Sequence, residues 1–252
     1  MARIVKEEAY AARRNEILEA AQRFVYSKGY EQLTIQNILD ELEISKGAFY
    51  HYFDSKHAML EAMIERMQDE VEQLLVPIVQ DTRLPALEKL ARFFVTAARW
   101  KTAQKRFFLG LLRVWYADNN AIVRQKVYAM SIKRVTPLLT PIIRQGRQDG
   151  VLTTEYPDQV GDVVVGLLNG LSDTLAGLLL AYEPMGGDLR RIESVIAVYT
   201  DALERVLGAP KGSLEFVDVE TLTAWFPPPE ATPDALTGAP VERNGPAVTQ
   251  DK

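Results

Sequence analysis

Residues 34–60 read TIQNILDELEISKGAFYHYFDSKHAML, and this stretch decides the fold that the sequence predicts. Its thirteen residues Ile44–Lys56 carry four aromatic rings together with two lysines, a histidine and two serines. A core segment would not carry that many polar ends, and a solvated helix would not carry that many rings. The stretch therefore predicts an element with one buried face and one face that meets a polar partner.

A first helix is predicted ahead of this stretch, over about Arg13–Lys28. Apolar residues recur there at helical spacing, and Gly29 follows as a residue suited to a left-handed C-cap. Thr34 is a candidate N-cap for a second helix over residues 35–43. The head of the chain thus begins with one longer and one shorter helix.

A third helix is predicted to begin after Ser45 and to end near Phe53. The tight turn of residues 42–44 joins it to the second helix, which is the layout of a helix-turn-helix. Phe49 and Phe53 lie four residues apart and are predicted to share the buried face. The other face is predicted to enter a DNA groove. The candidate DNA-binding residues are Thr34, Ser45, Lys46, Gly47, Ala48, Tyr50, His51, Tyr52 and Lys56.

The residue types on this second face suit contact with DNA. Lys46 supplies a charge at the start of the third helix, where recognition helices meet base edges. Gly47 allows close approach to the DNA, although glycine costs ~1 kcal/mol of helix propensity. Tyr50 and Tyr52 can donate hydroxyl hydrogen bonds to phosphates. Lys56 stands at the start of the next helix, whose N-terminus itself favours anions.

A long fourth helix is predicted to begin after Asp54 or Ser55, and Pro77 is predicted to kink or end it. Its inward positions step by three and four residues: Leu60, Met63, Met67, Val71, Leu74 and Ile78. Further helices are predicted at about 84–101, 104–117, 120–148 (bent by Pro137 and Pro141), 157–182 and 188–207. The expected fold is all-α, with a three-helix head on a larger helical body.

Composition limits what this fold can do. The chain has 252 residues, of which 47% are hydrophobic and 25% charged, as in folded soluble proteins. The net charge is −5, and residues 1–54 hold seven Lys and Arg against nine Asp and Glu. Any binding to DNA therefore depends on a local patch and not on overall charge.

An enzyme and a membrane protein are both disfavoured by the sequence. There is no cysteine, His51 and His57 are the only histidines, and no Glu-x-x-His pair occurs. No catalytic residue, metal ligand or cofactor is therefore expected. The most apolar window, Val163–Ala181, carries Asn169 and Asp173 in its middle, which favours a helix buried in protein over one in a membrane. The N-terminus has no signal-peptide pattern, and a cytoplasmic protein is expected.

Residues Thr34–Leu60 resemble the DNA-binding signature of the TetR/AcrR family of transcriptional regulators. The chain departs from that signature in the turn, where Glu43 stands at a position usually held by glycine. If this residue needs a left-handed backbone, glutamate costs ~1 kcal/mol there. Leu39 and Leu42 also replace the usual alanines. The matching residues are Thr34, Ile35, Ile38, Ile44, Ser45, Gly47, Phe49, Tyr50, Tyr52, Phe53, Ser55, Lys56 and Leu60.

The resemblance implies three regions. Residues 1–54 would be the DNA-binding domain, and residues 55–208 would bind a small-molecule effector and dimerise. Residues 209–252 are predicted to be a mostly disordered tail rich in Pro, Ala and Gly, within which residues 213–226 are apolar enough to dock as one or two helical turns. The implied protein is a homodimer, most simply a repressor that leaves a near-palindromic double-stranded DNA operator when its effector binds.

The resemblance also directs attention to two sets of residues in the body. The expected dimer interface is Val163, Leu167, Leu171, Leu178, Ile192, Val195, Tyr199 and Leu203. The expected effector pocket is lined by Trp100, Phe107, Phe108, Trp115, Tyr128, Asn169 and Asp173, a set that suits an apolar or cationic ligand.

Alternatives remain at the sequence level. The aromatic residues could be ordinary core, and the last two long helices could pack within one monomer. An activator with the same architecture is the alternative to a repressor. The alternative hypothesis from a different functional class is a helical ligand-binding or interaction module that lacks specific DNA binding.

Overall fold

The computed structural model describes residues 2–116, 121–185 and 189–227. Within these ranges the chain is helical and contains no strand, which confirms the all-α prediction. The helices are α1 (Ala2–Lys28), α2 (Ile35–Leu42), α3 (Lys46–Tyr50), α4 (Lys56–Gln80), α5 (Ala86–Ala103), α6 (Lys105–Trp115), α7 (Ala121–Gln148), α8 (Val160–Met185), α9 (Leu189–Leu207) and α10 (Val219–Trp225).

The predicted helices differ from the observed ones mainly in the head. α1 begins at Ala2, well before the predicted Arg13, because the preceding residues are mostly Ala, Glu, Lys and Arg, which favour helices. α3 ends at Tyr50 and a turn follows at residues 51–52, short of the predicted end near Phe53. Elsewhere the bounds agree within three residues.

Side-chain and backbone caps define the ends of the helices in the head. Gly29 has a φ of 84° and donates its amide to the Val25 carbonyl, as expected for a left-handed cap. Thr34 forms a capping box with Asn37 at the start of α2. The turn that follows α2 contains Glu43 in the left-handed region, with a φ of 51°. Glu43 therefore does adopt the left-handed backbone considered in the sequence analysis, and a residue with a Cβ atom is strained there.

We expect Glu43→Gly to raise the free energy of unfolding by ~1 kcal/mol, because glycine adopts a positive φ without steric cost. Urea unfolding of the two proteins measures this difference. Glu43→Ala is the matched control, because it removes the carboxylate but keeps the Cβ atom that causes the strain. An equal gain in both variants would assign the effect to charge and contradict the strain.

Two hydrophobic clusters form the core. The first is centred on Ile17, Phe49 and Met59, and it also includes Phe107 of α6 and Val127 of α7. The second lies in the body, where α4, α5, α7, α8 and α9 meet. Because the first cluster draws on α6 and α7, the head and the body share part of one core. The predicted boundary at residue 54 therefore runs through packed side chains.

One inward position of α4 was predicted wrongly. Leu74 is 48% exposed, whereas its neighbour Leu75 is 3% exposed and packs in the body cluster. Pro77 does not end α4 at once, since the helix continues to Gln80. Leu74 is exposed because an α-helix has 3.6 residues per turn, so a stripe of positions counted from Met67 gradually moves across the helix surface over several turns.

α8 is less covered than its composition predicted. Its window Val160–Ala181 has 22 residues and a mean hydropathy of 1.7, enough by length and composition to cross a membrane, yet only 17% of it is buried in the single chain. Val163 is 51% exposed, and Val198 of the neighbouring α9 is 64% exposed. Within one chain, only part of the surface of α8 is therefore covered. An apolar surface that includes Val163 of α8 and Val198 of α9 is exposed to solvent.

The segment of residues 213–226 docks on α5. The Phe216 ring lies 4.4 Å from the Phe94 ring between centroids. Asp218 accepts a hydrogen bond from Arg99 Nε at 2.8 Å. The indole of Trp225 donates to the Thr102 hydroxyl, also at 2.8 Å. This part of the predicted tail is thus ordered on the body, and the expectation of disorder for residues 228–252 lies outside the described residues.

We expect Phe216→Ala to lower the free energy of unfolding by about 3 kcal/mol, because it empties a buried aromatic site against α5. Thermal or urea unfolding measures the loss. Val219→Ala is the control within the same segment, since Val219 is exposed and its truncation leaves no cavity. Equal stability of the Phe216 variant and the wild type would mean that the segment does not stabilise the body.

Candidate nucleic-acid interface and ligand region

α3 has the two faces that its sequence predicts. Phe49 is fully buried, and Phe53 beyond the helix is buried beside it in the head cluster. On the opposite side, Lys46 and Gly47 are exposed and Tyr50 is 42% exposed. The Lys46 ammonium lies 6.0 Å from the centroid of the Tyr50 ring. A charge, a phenol and a gap left by glycine thus share one accessible surface.

Three smaller predicted contact residues lie at helix starts. Ser45 Oγ accepts a hydrogen bond from the Ala48 amide at 3.1 Å and so caps α3. Thr34 Oγ1 accepts from the Asn37 amide at 3.2 Å. Both capping residues are exposed and Ala48 is half-buried. The Ser45 hydroxyl can still donate its proton to an acceptor such as a phosphate while it caps the helix.

A residue that the sequence did not indicate lies beside the end of α3. The Tyr10 ring of α1 is 4.7 Å from the Tyr52 ring and 5.5 Å from the His51 ring, between centroids. Tyr52 is half-buried in this cluster, whereas His51 and Tyr10 are exposed. The helix-favouring composition before Arg13 was the signal for a longer α1. The added turns extend α1 along the candidate interface.

Lys56 is held by the protein itself. Its ammonium donates to the Tyr30 carbonyl at 2.9 Å and lies 4.1 Å from the centroid of the Tyr30 ring. The Tyr30 hydroxyl donates in return to the Lys56 carbonyl at 3.3 Å. Burial lowers the pKa of Lys56, against the opposing charge of Glu31, and burial raises the pKa of Tyr30 to about 12. This reciprocal clamp fixes the start of α4 against the end of α1.

Two residues of the predicted effector pocket, Tyr128 of α7 and Asp173 of α8, are in contact, together with Tyr116, which the predicted set did not include. The Asp173 carboxylate accepts hydrogen bonds from the Tyr116 hydroxyl, at 2.9 Å, and from the Tyr128 hydroxyl. Arg124 donates to the Trp115 carbonyl at 2.5 Å. Burial, reinforced by the bond to Asp173, raises the pKa of Tyr128 to about 12 and raises that of Tyr116 as well. Both phenols therefore stay protonated, and the carboxylate already has two donors.

The other predicted pocket residues are more dispersed. Phe107 is fully buried in the head cluster, where its ring lies 5.8 Å from that of Tyr26. Trp100 and Phe108 are half-buried, with ring centroids 6.1 Å apart. Asn169 is half-buried on α8. Phe107 is therefore a core residue. Of the predicted pocket residues in this group, the half-buried Trp100, Phe108 and Asn169 remain accessible to a ligand.

The predicted dimer residues divide into two groups. Leu171, Ile192 and Leu203 are buried inside the single chain. Val163 is exposed, and the remaining members, Leu167, Leu178, Val195 and Tyr199, are half-buried. Tyr199 packs within the chain, since its hydroxyl lies 3.3 Å from the Thr174 hydroxyl. The uncovered surface also includes Leu180 and Val198, which the sequence did not single out.

Possible metal-ligating side chains lie dispersed over the described part of the chain. In residues 2–116, 121–185 and 189–227, no three His, Asp or Glu side chains converge in a way that could hold a metal ion. The chain contains no cysteine to add to such a group. The clusters described above are built instead from hydrogen-bonding phenols, single charges and aromatic rings.

The sequence of this chain is similar to the sequences of known bacterial transcriptional regulators. Residues 17–63 match the sequence profile of the bacterial regulatory proteins of the tetR family. The HTH-type transcriptional regulator TtgR of Pseudomonas putida is 31% identical over 162 residues, which cover 62% of this chain and 77% of that protein. The HTH-type transcriptional repressor NemR of Escherichia coli is 24% identical over 188 residues, covering 73% and 94% respectively.

Solved structures show the same fold over most of the chain. The crystal structure of RolR in complex with resorcinol superposes with a TM-score of 0.58 at 17% identity, covering 88% of this chain and 97% of that one. The complex of SmeT with triclosan superposes with a TM-score of 0.56 at 21% identity, covering 81% and 95%.

Proposed function

Since this chain belongs to the TetR family of bacterial regulatory proteins, we propose that it is a transcriptional repressor that releases its operator when a small molecule binds the helical body. The observation that carries the proposal is the accessible face of α3, where Lys46, Gly47 and Tyr50 lie opposite the buried Phe49. A repressor of this kind acts in the cytoplasm, where the chromosome is accessible.

Each α3 would enter a major groove through this face. Lys46 would reach base edges from the start of the helix, and the missing side chain of Gly47 would allow close approach. The Tyr50 and Ser45 hydroxyls would donate to phosphates. The clamp between Lys56 and Tyr30 supports a different role for Lys56, which would hold the start of α4 against the end of α1 more than it would bind phosphate.

The functional unit would be a homodimer. The exposed apolar side chains on α8 and α9, among them Val163 and Val198, support this proposal because a second copy would cover them. Two copies of α3 would then meet major grooves about one helical turn of DNA apart, so the operator would be a near-palindrome.

α6 offers a route by which a ligand in the body could affect the head. The Gly110 carbonyl of α6 accepts a hydrogen bond from the Tyr30 amide at 3.1 Å. The far end of α6 leads into Tyr116, which binds Asp173 of α8. A ligand that displaces Tyr116 would therefore move α6 against α1. Effector binding would act on the head through this contact.

The test is footprinting of the purified protein on the DNA upstream of its own gene, with excess competitor DNA and a series of salt concentrations. Protection of a near-palindrome that survives competitor, with affinity that falls steeply as salt rises, is the expected result. Binding that any competitor abolishes would refute specific recognition there. A reporter gene behind the protected site then separates a repressor, which lowers expression, from an activator, which raises it.

A further inference from the structure

The buried stripe of α1 changes character where the helix leaves the core of the head. Ala21 and Ile17 of this stripe are fully buried in the head cluster. The stripe continues towards the N-terminus, by steps of three and four residues, through Arg14 and Tyr10. Residues 7–12 are all exposed. α1 therefore extends beyond the core, and its core-facing stripe becomes basic and aromatic as it does so.

Tyr10 and Arg14 show where α1 meets the chain that follows α3. The Tyr10 ring lies 5.5 Å from the His51 ring between centroids. One turn later, the Arg14 guanidinium lies 5.0 Å from the centroid of the Phe53 ring. His51 is exposed and directly follows Tyr50. The stripe of α1 thus reaches the protein surface beside the end of the exposed face of α3.

The basic charge of the head is concentrated in the leading part of α1, which we define as residues 2–14. This part holds four Lys and Arg against two Glu. Residues 15–54, which include the whole helix-turn-helix, hold three Lys and Arg against seven Asp and Glu. A surface with that excess of carboxylates repels the phosphates of DNA unless basic side chains lie nearby. The leading part of α1 holds such residues, and the sequence places Arg3 and Lys6 in the same stripe as Tyr10.

Arg14 is a basic residue of this stripe that is available to a phosphate. Among the residues that the structure describes, no carboxylate lies within ion-pair distance of its guanidinium, whereas the adjacent Arg13 pairs with Glu16. The Phe53 ring covers only part of the Arg14 side chain, which is half-buried. An arginine has five N–H donors, so those that point to solvent can bind an anion.

We propose that the leading part of α1 is a second DNA-binding surface of the head, where Arg14 and Tyr10 bind phosphates that border the major groove entered by α3. The eight residues of α1 before Tyr10 extend about 12 Å beyond it, which is about the width of that groove. The inference rests on the proposed function and adds the source of its electrostatic attraction to DNA. Because the contact is to the DNA backbone, it positions α3 without reading bases.

The test is the salt dependence of operator binding by Arg14→Met, which removes the charge and keeps an unbranched side chain over Phe53. We expect operator affinity to fall by about tenfold. The slope of the logarithm of affinity against the logarithm of salt concentration should become shallower by about 2, because each copy in a dimer loses one phosphate contact. Arg14→Lys keeps the charge and should keep the slope.

Arg23→Met is the matched control. Arg23 lies on the opposite side of α1 and pairs with Glu41 at 2.8 Å. Its substitution removes the same charge from the same helix and should keep the wild-type slope. An unchanged slope in Arg14→Met, or an equal decrease in Arg14→Met and Arg23→Met, would overturn the proposal. Arg14→Gln repeats the comparison should the methionine variant not fold.

Ethylation of the DNA phosphates locates the contact. In the wild type, ethylation of a phosphate that borders the groove in each half-site should block binding. Arg14→Met should be insensitive to ethylation at that phosphate, because its contact is already lost. Tyr10→Phe keeps the ring beside His51 and removes the hydroxyl, so operator affinity should fall by about fivefold. Wild-type affinity in Tyr10→Phe would remove Tyr10 from this surface.

Duplex DNA of random sequence separates this inference from the proposed function. Since every duplex presents phosphates, Arg14→Met should make the salt slope shallower on this DNA as well. A protein that protects no operator, but whose binding to random duplex depends on Arg14, would keep the α1 surface and refute the repressor. Protection of an operator by the wild type and Arg14→Met with the same salt slope would keep the repressor and refute the α1 surface.

Discussion

Tyr50→Ala is expected to lower operator affinity by about 30-fold, since each of the two half-sites loses ~1 kcal/mol of contact with DNA. Tyr50 is 42% exposed and lies beside Lys46 on the outer face of α3. The ring of the neighbouring Phe49 lies edge-on to its ring, 5.5 Å away between centroids. Truncation should therefore leave folding and dimerisation intact, and the loss should appear in binding alone.

The measurement is a titration of the footprinted operator at several salt concentrations. Tyr156→Ala is the matched control, since Tyr156 is 65% exposed but lies in the loop before α8. Tyr50→Phe divides the effect between the hydroxyl and the ring. If the affinity of Tyr50→Ala equals that of the wild type while its thermal unfolding is unchanged, this face of α3 does not bind DNA.

Gly110→Ala is expected to lower both stability and operator affinity. A Cβ atom on Gly110 would lie 2.8 Å from the Val25 carbonyl oxygen of α1, and a backbone atom cannot rotate away. Such overpacking costs about 1–3 kcal/mol. It would push α6 away from α1 and lengthen the hydrogen bond from the Tyr30 amide to the Gly110 carbonyl. Since both heads of a dimer would shift, operator affinity should fall by about tenfold or more.

Thermal unfolding and operator titration on the same preparation measure the two effects. Leu109→Ala is the control, because Leu109 is the preceding residue of α6 and is exposed. Reduced stability with unchanged operator affinity would show that the contact between α6 and α1 stabilises the chain without setting the position of the head. Unchanged stability would contradict the close packing itself.

The helical architecture could be predicted because it depends on local properties. The spacing of apolar residues predicted the body helices within three residues, and Thr34 and Ser45 cap α2 and α3 as predicted. Of the two candidates Asp54 and Ser55, Ser55 caps α4. The buried and exposed faces of α3 follow from the four-residue step between Phe49 and Phe53 in the same way. Each of these features is determined within one or two turns of chain.

Other features could not be predicted because they depend on which segments meet. The sequence identifies Lys56 as a candidate phosphate ligand, and only the fold shows that the Tyr30 carbonyl already binds its ammonium. Asp173 likewise reads as a free carboxylate until Tyr116 and Tyr128 are brought beside it from elsewhere in the chain. Hydrogen-bond partners that lie tens of residues away leave no local pattern.

By itself, the sequence determined the all-α class, the helix-turn-helix and the residues on the exposed face of α3, since helix periodicity and capping are short-range effects. Tertiary structure alone decided which partners Lys56 and Asp173 bind and where apolar surface remains uncovered. The exposed Val163 and Val198 are results of how the helices pack. Burial and electrostatic pairing are properties of neighbours in space, and those neighbours exist only once the chain has folded.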